Sequence, residues 1–138
     1  MIRAQLLERL KAAGVQPTLQ RLAVAEILFD KPAHLRADEI VERVQQGHAD
    51  VSRATVYNTL KLFRDAGLIR ELIVDGGRIV FDSNVAPHYH LYDVDSGAVV
   101  DVPEQELKVV GRPTLPPGCQ LVDIDVIVRV RGIPAELI

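Results

Sequence analysis

The sequence is poor in residues that would cross-link it through sulfur. Among 138 residues there is one cysteine, Cys119. An intramolecular disulfide needs two thiols and a four-cysteine zinc site needs four, so the sequence excludes both within one chain. We therefore expect no structural zinc bound by four cysteines and a fold that is stable without one.

Long apolar runs and the common catalytic motifs are absent as well. No stretch approaches the roughly 20 apolar residues that a membrane helix needs. Arg3, Glu8 and Arg9 interrupt the apolar N-terminal stretch, so we expect no signal peptide, no membrane association and a cytoplasmic protein. The sequence has no P-loop, dinucleotide-binding fingerprint or nucleophile motif, and we expect that it is not an enzyme.

The charge is mildly acidic overall but differs between the two halves. The formal net charge is -3. Residues 1–83 carry 12 Lys and Arg against 11 Asp and Glu, a net of +1, and residues 84–138 carry 4 against 8, a net of -4. Any binding to nucleic acid must therefore use a local basic face rather than bulk positive charge.

Apolar periodicity in the first half predicts four helices and a hairpin. The helices are expected over Ile2 to Ala13, from Pro17 to a break at Lys31-Pro32, over Arg36 to Gln46, and from a cap at Asp50 or Ser52 to Ala66. The hairpin pairs Leu68–Val74 with Arg78–Asp82 around Asp75-Gly76-Gly77. This order is typical of a winged helix-turn-helix.

The fourth predicted helix carries the residues that suggest DNA binding. Its candidate DNA contacts are Ser52, Arg53, Thr55, Tyr57, Asn58 and Lys61, and its candidate core contacts include Ala54. Most of the polar residues share one solvent face through their spacing, and Asn, Arg and Thr side chains can read adenine, guanine and thymine. A serine at a helix N-terminus suits a phosphate. The alternative is an ordinary polar helix face.

The second half begins after a predicted hinge at residues 84–87. Alternation and turn signals predict strands over His88–Val94, Ala98–Val102 and Gln120–Arg131, and a short helix over Glu104–Val110. Ile133–Ile138 is expected to be a loose tail, and we assign it no role from the sequence. Together with the helical first half, these elements predict an α+β fold.

The last predicted strand has a charge order that suggests a homodimer. Asp123 and Asp125 precede Ile127, and Arg129 and Arg131 follow it. If two copies pair antiparallel about Ile127, each aspartate faces an arginine of the other copy, which favours that register. The alternative is pairing of this strand within one chain.

Three histidines and two aspartates form a candidate metal site. His88 and His90 are two apart on a predicted strand, so their rings project from one face. Asp82 precedes the hinge, Asp101 lies on the returning strand, and His34 is expected in a loop. A nitrogen and oxygen donor set suits Fe(II), Mn(II) or Zn(II). Alternatively, these are surface histidines with aspartates in caps or turns.

Six motifs in order resemble one family over nearly the whole chain. They are Gly14–Arg21, Ala54–Leu60, Phe63–Glu71, Arg78–Asp82, His88–His90 and Val99–Asp101. The chain resembles the ferric uptake regulator (Fur) family, most closely its peroxide-sensing PerR branch, with the iron-responsive Irr branch second. Asp101 stands where PerR-like members have Asp and iron-uptake regulators often have Glu.

The resemblance implies a metal-dependent DNA-binding repressor that senses peroxide. It implies a winged-helix DNA-binding domain over 1–83 and a dimerisation and metal-sensing domain over 88–138. Its regulatory metal, Fe(II) or Mn(II) with Zn(II) as a substitute, would be bound by His34, Asp82, His88, His90 and Asp101. Peroxide would oxidise His34 and His88, and the operator would be an AT-rich inverted repeat.

Two departures from the family pattern keep alternatives open. Many members hold a structural zinc through cysteines just after the H-x-H, which this chain lacks, and Gln16 is neutral where a basic residue is common. Irr-like proteins also lack that zinc, so an iron- or haem-responsive regulator remains an alternative, with His88, His90 and Cys119 as haem ligands. A DNA-binding dimer with a degenerate metal site and a small metalloenzyme are further alternatives.

Overall fold

A computed structural model of the chain describes residues 2–30, 34–75, 78–86, 88–103 and 105–138. It divides into two compact units, Met1–Val85 and Ala86–Ile138. The first is mostly helical, and the second is built around a small sheet. The mixed architecture confirms the predicted α+β fold class.

The first unit contains four helices and a three-stranded antiparallel sheet. Its elements are α1 (Arg3–Ala12), α2 (Leu19–Phe29), β1 (His34–Leu35), α3 (Ala37–Gly47), α4 (Arg53–Asp65), β2 (Arg70–Asp75) and β3 (Arg78–Asp82). The strand order is β1-β3-β2. Helices followed by a β2-β3 hairpin make a winged helix, as the sequence predicts.

Side-chain caps determine where the helices begin. Thr18 Oγ1 accepts the Arg21 N–H at 3.1 Å, so α2 begins at Leu19 rather than at Pro17. Ser52 Oγ accepts the Thr55 N–H at 3.1 Å, so Ser52 caps α4 and Asp50 does not. The predicted helix break at Lys31-Pro32 and the turn glycines Gly76-Gly77 lie outside the described residues.

The core of the first unit lies between its helices and the inner side of the hairpin. Side chains from all four helices are buried there, including Leu6, Leu10, Leu28, Ile40, Val44, Val56, Leu60 and Phe63. The prediction that Ala54 belongs to this core is wrong, because Ala54 lies on the solvent side of α4 and is exposed. The buried face of α4 determines that its opposite face is presented to solvent.

The position of His34 differs from the predicted loop. His34 and Leu35 form the two-residue strand β1, which pairs antiparallel with β3. A strand of two residues has no periodicity that a sequence could show. Its pairing places His34 directly opposite Asp82.

The second unit is a three-stranded sheet with a short 3₁₀ helix. Its elements are β4 (Tyr89–Asp93), β5 (Val99–Val102), β6 (Ile127–Val130) and the 3₁₀ helix Ala135–Leu137. The strand order is β5-β4-β6, with β4 antiparallel to β5 and parallel to β6. Within the described part of the chain, β6 is therefore an edge strand.

Two predictions for the second unit are wrong. The strand expected over Gln120–Arg131 is limited to β6, because only residues beside β4 find a backbone partner within the chain. The helix expected over Glu104–Val110 does not form over 105–110, and Glu104 lies outside the described residues. Instead, the Glu106 N–H donates to the Pro103 carbonyl at 3.0 Å and closes a single turn.

The helices are short compared with the thickness of a bilayer. The helix α4, for example, has 13 residues. No helix in the described ranges is both long enough and apolar enough to cross a membrane.

Candidate functional site

The first unit places one histidine against one buried carboxylate. His34 on β1 is the cross-strand partner of Asp82 on β3, and His34 Nε2 lies 3.3 Å from Asp82 Oδ2. The Asp82 side chain is 1% exposed. Its other oxygen, Oδ1, accepts the Asn84 N–H at 2.9 Å, so the carboxylate is oriented with Oδ2 toward the histidine.

The second unit gathers two histidines around another carboxylate. His90 on β4 lies opposite Asp101 on β5. Asp101 Oδ1 is 3.2 Å from His88 Nε2 and 3.5 Å from His90 Nε2. The two imidazole centroids are 4.4 Å apart, although His88 immediately precedes β4 and is not part of the strand predicted to begin with it.

The hydrogen bonding of His88 determines which of its ring nitrogens can bind a metal. His88 Nδ1 contacts the carbonyl oxygen of Ala86, and a carbonyl only accepts, so Nδ1 carries the proton. In neutral His88 the Nε2 lone pair then faces the Asp101 carboxylate, which is also an acceptor. Two acceptors at 3.2 Å need a cation between them, either a proton or a metal ion.

Two donor sets, His34 with Asp82 and His88 with His90 and Asp101, carry side chains that suit a divalent transition metal. One ligand atom from each of His88, His90 and Asp101 lies within 4.8 Å of the others, close enough to share one ion. Two imidazoles and one carboxylate are the donors typical of non-haem Fe(II) sites. The pair His34 and Asp82 offers the same two donor types.

The candidate DNA-binding residues lie at the start of α4 and on its solvent side. Ser52, Arg53, Tyr57, Asn58 and Lys61 are exposed, and Thr55 is half-buried. The Ser52 hydroxyl is already engaged in the helix cap, since its Oγ accepts the Thr55 N–H, and it also lies 2.9 Å from Thr55 Oγ1. The remaining polar groups form one continuous strip on the helix.

The exposed aromatic ring on this strip has a partner. Arg53 Nη2 donates to Tyr57 Oη at 2.9 Å, and the guanidinium lies 5.2 Å from the ring centroid. This pairing holds both side chains in place over one turn of α4. It also gives a physical reason for an aromatic residue on a polar face.

The structure adds residues that the sequence analysis did not include. Thr55 and Asn58 line a cleft of about 250 Å³ with three residues from the start of α2, Thr18, Gln20 and Arg21. Arg21 also donates from Nη1 to the Gln16 carbonyl at 2.8 Å and so holds the preceding loop. These residues belong to the Gly14–Arg21 motif, which is the signal by which they could have been found.

An ion pair connects α4 to the hairpin. Arg64 Nη1 lies 2.6 Å from Glu71 Oε2 on β2, and Arg64 Nη2 lies 3.2 Å from Asp65 Oδ1. The hydrogen bond to Glu71 is the main cause that raises the pKa of Arg64. The pair therefore ties the end of α4 to the strand that starts the hairpin.

The five residues of the predicted dimer strand do not share one strand in the single chain. Ile127 and Arg129 lie on β6, whereas Asp123 and Asp125 precede it. Arg131 follows β6, and its Nε lies 3.4 Å from Asp95 Oδ2. Both partners of that ion pair are largely exposed, so it adds little stability.

Comparison with known proteins gives this chain a family. The model of the ferric uptake regulator family matches residues 12–129. Over 95 residues the chain is 40% identical to the peroxide operon regulator of Bacillus subtilis (strain 168), covering 69% of this chain and 66% of that protein. It is 35% identical over 103 residues to the peroxide-responsive repressor PerR of Staphylococcus aureus (strain USA300), covering 75% and 70%.

A solved structure agrees with these sequence matches. The ferric uptake regulator from Pseudomonas aeruginosa with manganese superposes with a TM-score of 0.68 and 27% identity, covering 96% of this chain and 98% of that one. The match spans elements of both units. Together with the family model, it shows that the chain belongs to the ferric uptake regulator family.

Proposed function

We propose that this protein is a metal-dependent, DNA-binding transcriptional repressor that senses peroxide. The observation that carries the proposal is the pair of donor sets, His34 with Asp82 and His88 with His90 and Asp101, in a chain of the ferric uptake regulator family. Two relatives that regulate the peroxide response support the choice of signal.

The regulatory metal in this proposal is one Fe(II) or Mn(II) ion that takes donors from both sets. Two donors from the first unit and three from the second make five, and neither set alone fills the coordination shell of such an ion. Zn(II) would bind the same nitrogen and oxygen donors in purified protein. The related regulator solved with manganese supports a divalent cation of this class.

The peroxide response in this proposal is oxidation of His34 and His88. Fe(II) held by these donors would supply the electrons for cleavage of the peroxide O–O bond, and the ligand imidazoles of His34 and His88 would be the nearest groups to oxidise. In the net reaction one oxygen atom is inserted into an imidazole C–H bond, and the other leaves as water. The modified ring is a weaker donor, so the metal dissociates. If the metal binds only the DNA-binding conformation, its loss shifts the population away from that conformation.

DNA recognition is assigned to α4 and the start of α2. We infer that α4 enters the major groove, where Arg53 and Asn58 reach base edges and Lys61 contacts phosphate. Thr18 and Arg21 at the N-terminus of α2 face the same cleft. The expected operator is an AT-rich inverted repeat, because a two-fold dimer reads two half-sites.

A homodimer is supported by the second unit. Its edge strand β6 is short, and several apolar side chains around it are exposed, among them Leu121, Val122 and Ile124. A second copy that pairs antiparallel about Ile127 would cover them. Asp125 would then face the partner's Arg129, and Asp123 the partner's Arg131.

The test is peptide mass spectrometry after anaerobic Fe(II) loading and a short hydrogen peroxide pulse. We expect a gain of one oxygen on His34 or His88 with Fe(II) and none with Mn(II). His48, exposed at the end of α3, is the internal control because it belongs to neither donor set. It should stay unmodified.

Two outcomes would contradict the proposal in different ways. Oxidation of His48 as much as of His34 and His88 would indicate diffusible oxidant rather than a bound ion. Bound iron without any histidine oxidation would favour the iron- or haem-responsive alternative.

A further inference from the structure

The side chain of Asp93, at the end of β4, is held by four backbone amides. Its Oδ1 accepts the N–H groups of Asp95 and Ser96 at 2.9 and 3.1 Å. Its Oδ2 accepts those of Gly132 and Ile133 at 3.0 and 2.9 Å. The residue is 3% exposed, so its carboxylate is shielded from most water, and the four hydrogen bonds are partly buried. The first pair is local, whereas the second joins segments 39 and 40 positions apart.

These bonds connect β4 to the segment that follows β6. The strand β6 has four residues and meets the chain only along β4 within the described sheet. At its start the His90 N–H donates to the Val126 carbonyl at 3.2 Å. At its end the Val94 N–H donates to the Val130 carbonyl at 3.0 Å, and Asp93 accepts the N–H groups of Gly132 and Ile133 just beyond β6.

Little buried apolar surface supports β6 in the described part of this unit. Among its described residues the buried apolar side chains are Tyr92 and Val102. Units with so small an apolar core usually need a disulfide, a bound metal or a partner chain to be stable. The single cysteine, Cys119, is exposed and excludes a disulfide within the chain.

We propose that the Asp93 carboxylate is a metal-free clamp, a positioning residue that fixes β6 on β4 and thereby presents the outer edge of β6 to a second copy of the chain. The dimer part rests on the proposed function, whereas the clamp itself does not. Both oxygens already accept two N–H groups each, which explains why the site needs no cation. The same bonds lower the pKa of Asp93 from 3.8 to about 2.

The decisive variant is Asp93→Asn. Its remaining oxygen can still accept from Asp95 and Ser96, but its amide group would point N–H donors at the N–H groups of Gly132 and Ile133. The matched control is Asp95→Asn, which removes the same charge from the same turn and loses only the exposed ion pair with Arg131, which adds little stability. Amide hydrogen exchange of the full chain by NMR reports each bond separately.

We expect exchange at Gly132 and Ile133 to accelerate by about tenfold or more in Asp93→Asn, while Asp95 and Ser96 keep most of their protection. The control variant should leave exchange at Gly132 and Ile133 unchanged, and treatment of the wild type with EDTA should leave all four amides unchanged. Unchanged exchange at Gly132 and Ile133 in Asp93→Asn would overturn the clamp. So would loss of protection on chelation.

The dissociation constant of the homodimer distinguishes failure of this inference from failure of the proposed function. By sedimentation we expect a dimeric wild type, and a dissociation constant about tenfold higher in Asp93→Asn but not in Asp95→Asn. A monomeric wild type would refute the proposed dimer while leaving the clamp to the exchange data. If the variant does not fold, the wild-type Asp93 carboxyl carbon gives the answer, because titration near 3.8 instead of about 2 would overturn the clamp.

Discussion

Asp82 lies directly opposite His34 on neighbouring antiparallel strands, with Oδ2 3.3 Å from Nε2. The carboxylate is buried, and its second oxygen is held by the Asn84 N–H. The fold therefore orients this pair before any metal binds. A preoriented donor pair loses little conformational freedom on binding an ion, which favours affinity.

Removing one histidine of the first donor set should weaken metal binding. We expect His34→Ala to lower Mn(II) affinity at least about tenfold, since losing even a group that only orients a ligand costs that much in metal sites. His48→Ala, which changes an exposed histidine outside both sets, should leave affinity unchanged. Isothermal titration calorimetry measures both. Equal affinities in the two variants would exclude His34 as a ligand.

Changing polar residues on α4 should separate base reading from phosphate binding. Asn58→Ala should cost about 1–3 kcal/mol at one base pair of the operator. Lys61→Ala should weaken binding to all duplexes. It should also reduce the slope of log binding constant against log salt concentration by about 1. Fluorescence anisotropy with an operator selected from a random duplex library tests this. Lys11→Ala on α1 is the control, and an equal effect there would indicate nonspecific charge.

The pH dependence of stability should carry the signature of Asp93. Its pKa is lowered to about 2, chiefly by the Ile133 N–H, with Ser96, Asp95 and Gly132 adding to the effect. A depressed carboxyl pKa stabilises the fold above the unfolded value of 3.8 and loses that contribution as pH falls toward about 2. The stability gap between wild type and Asp93→Asn should therefore narrow across this window.

Urea unfolding between pH 2 and pH 7 measures that gap. Other carboxyl groups titrate alike in both proteins and cancel in the difference. A gap that stays constant through the acidic range would mean that Asp93 titrates normally in the folded protein.

Charge exchange on the dimer strand should reveal the proposed register. Asp125→Arg and Arg129→Asp should each weaken the dimer, because like charges would then face each other across the two-fold axis. The double variant should recover much of the loss, at roughly 0.2–1 kcal/mol per restored pair. Sedimentation equilibrium gives the dimer dissociation constants. Arg112 is exposed, and Arg112→Asp is the control for a change of charge elsewhere. Additive losses in the double variant would contradict the register.

The helical core should be sensitive to truncation on the inner side of α4. Leu60 is 1% exposed, and Leu60→Ala should lower the free energy of unfolding by about 2–5 kcal/mol. Leu19, at the start of α2, is 72% exposed, so Leu19→Ala should change it by less than about 0.5 kcal/mol. Denaturant unfolding compares the two. Similar losses would mean that α4 does not pack as described.

Local patterns in the sequence predicted most elements of the fold. The apolar spacing of α4 indicates its buried side, and Ser52 is a suitable cap by residue type. The alternation around His88 and His90 predicts a strand with both rings on one face. These features depend on neighbours within one or two turns, so the sequence displays them directly.

Local sequence patterns could not predict which residues from distant segments pair with each other. Nothing local distinguishes His34 as a strand residue, because β1 is defined only by its pairing with β3. The alternation over 120–131 reports two faces but not a partner, and β4 pairs with just four of those residues. The amides of Gly132 and Ile133 have no side-chain identity by which a sequence could assign them to Asp93.

The sequence by itself therefore determined the four helices of the first unit, the hairpin, the donor types and the exclusion of a four-cysteine zinc site within one chain. Each of these follows from residue chemistry or short-range periodicity. Only the tertiary structure decided which carboxylate faces which histidine and where β6 ends. The physical reason is that strand pairing and buried hydrogen bonds select partners by backbone geometry across long loops, and many registers share the same side-chain pattern.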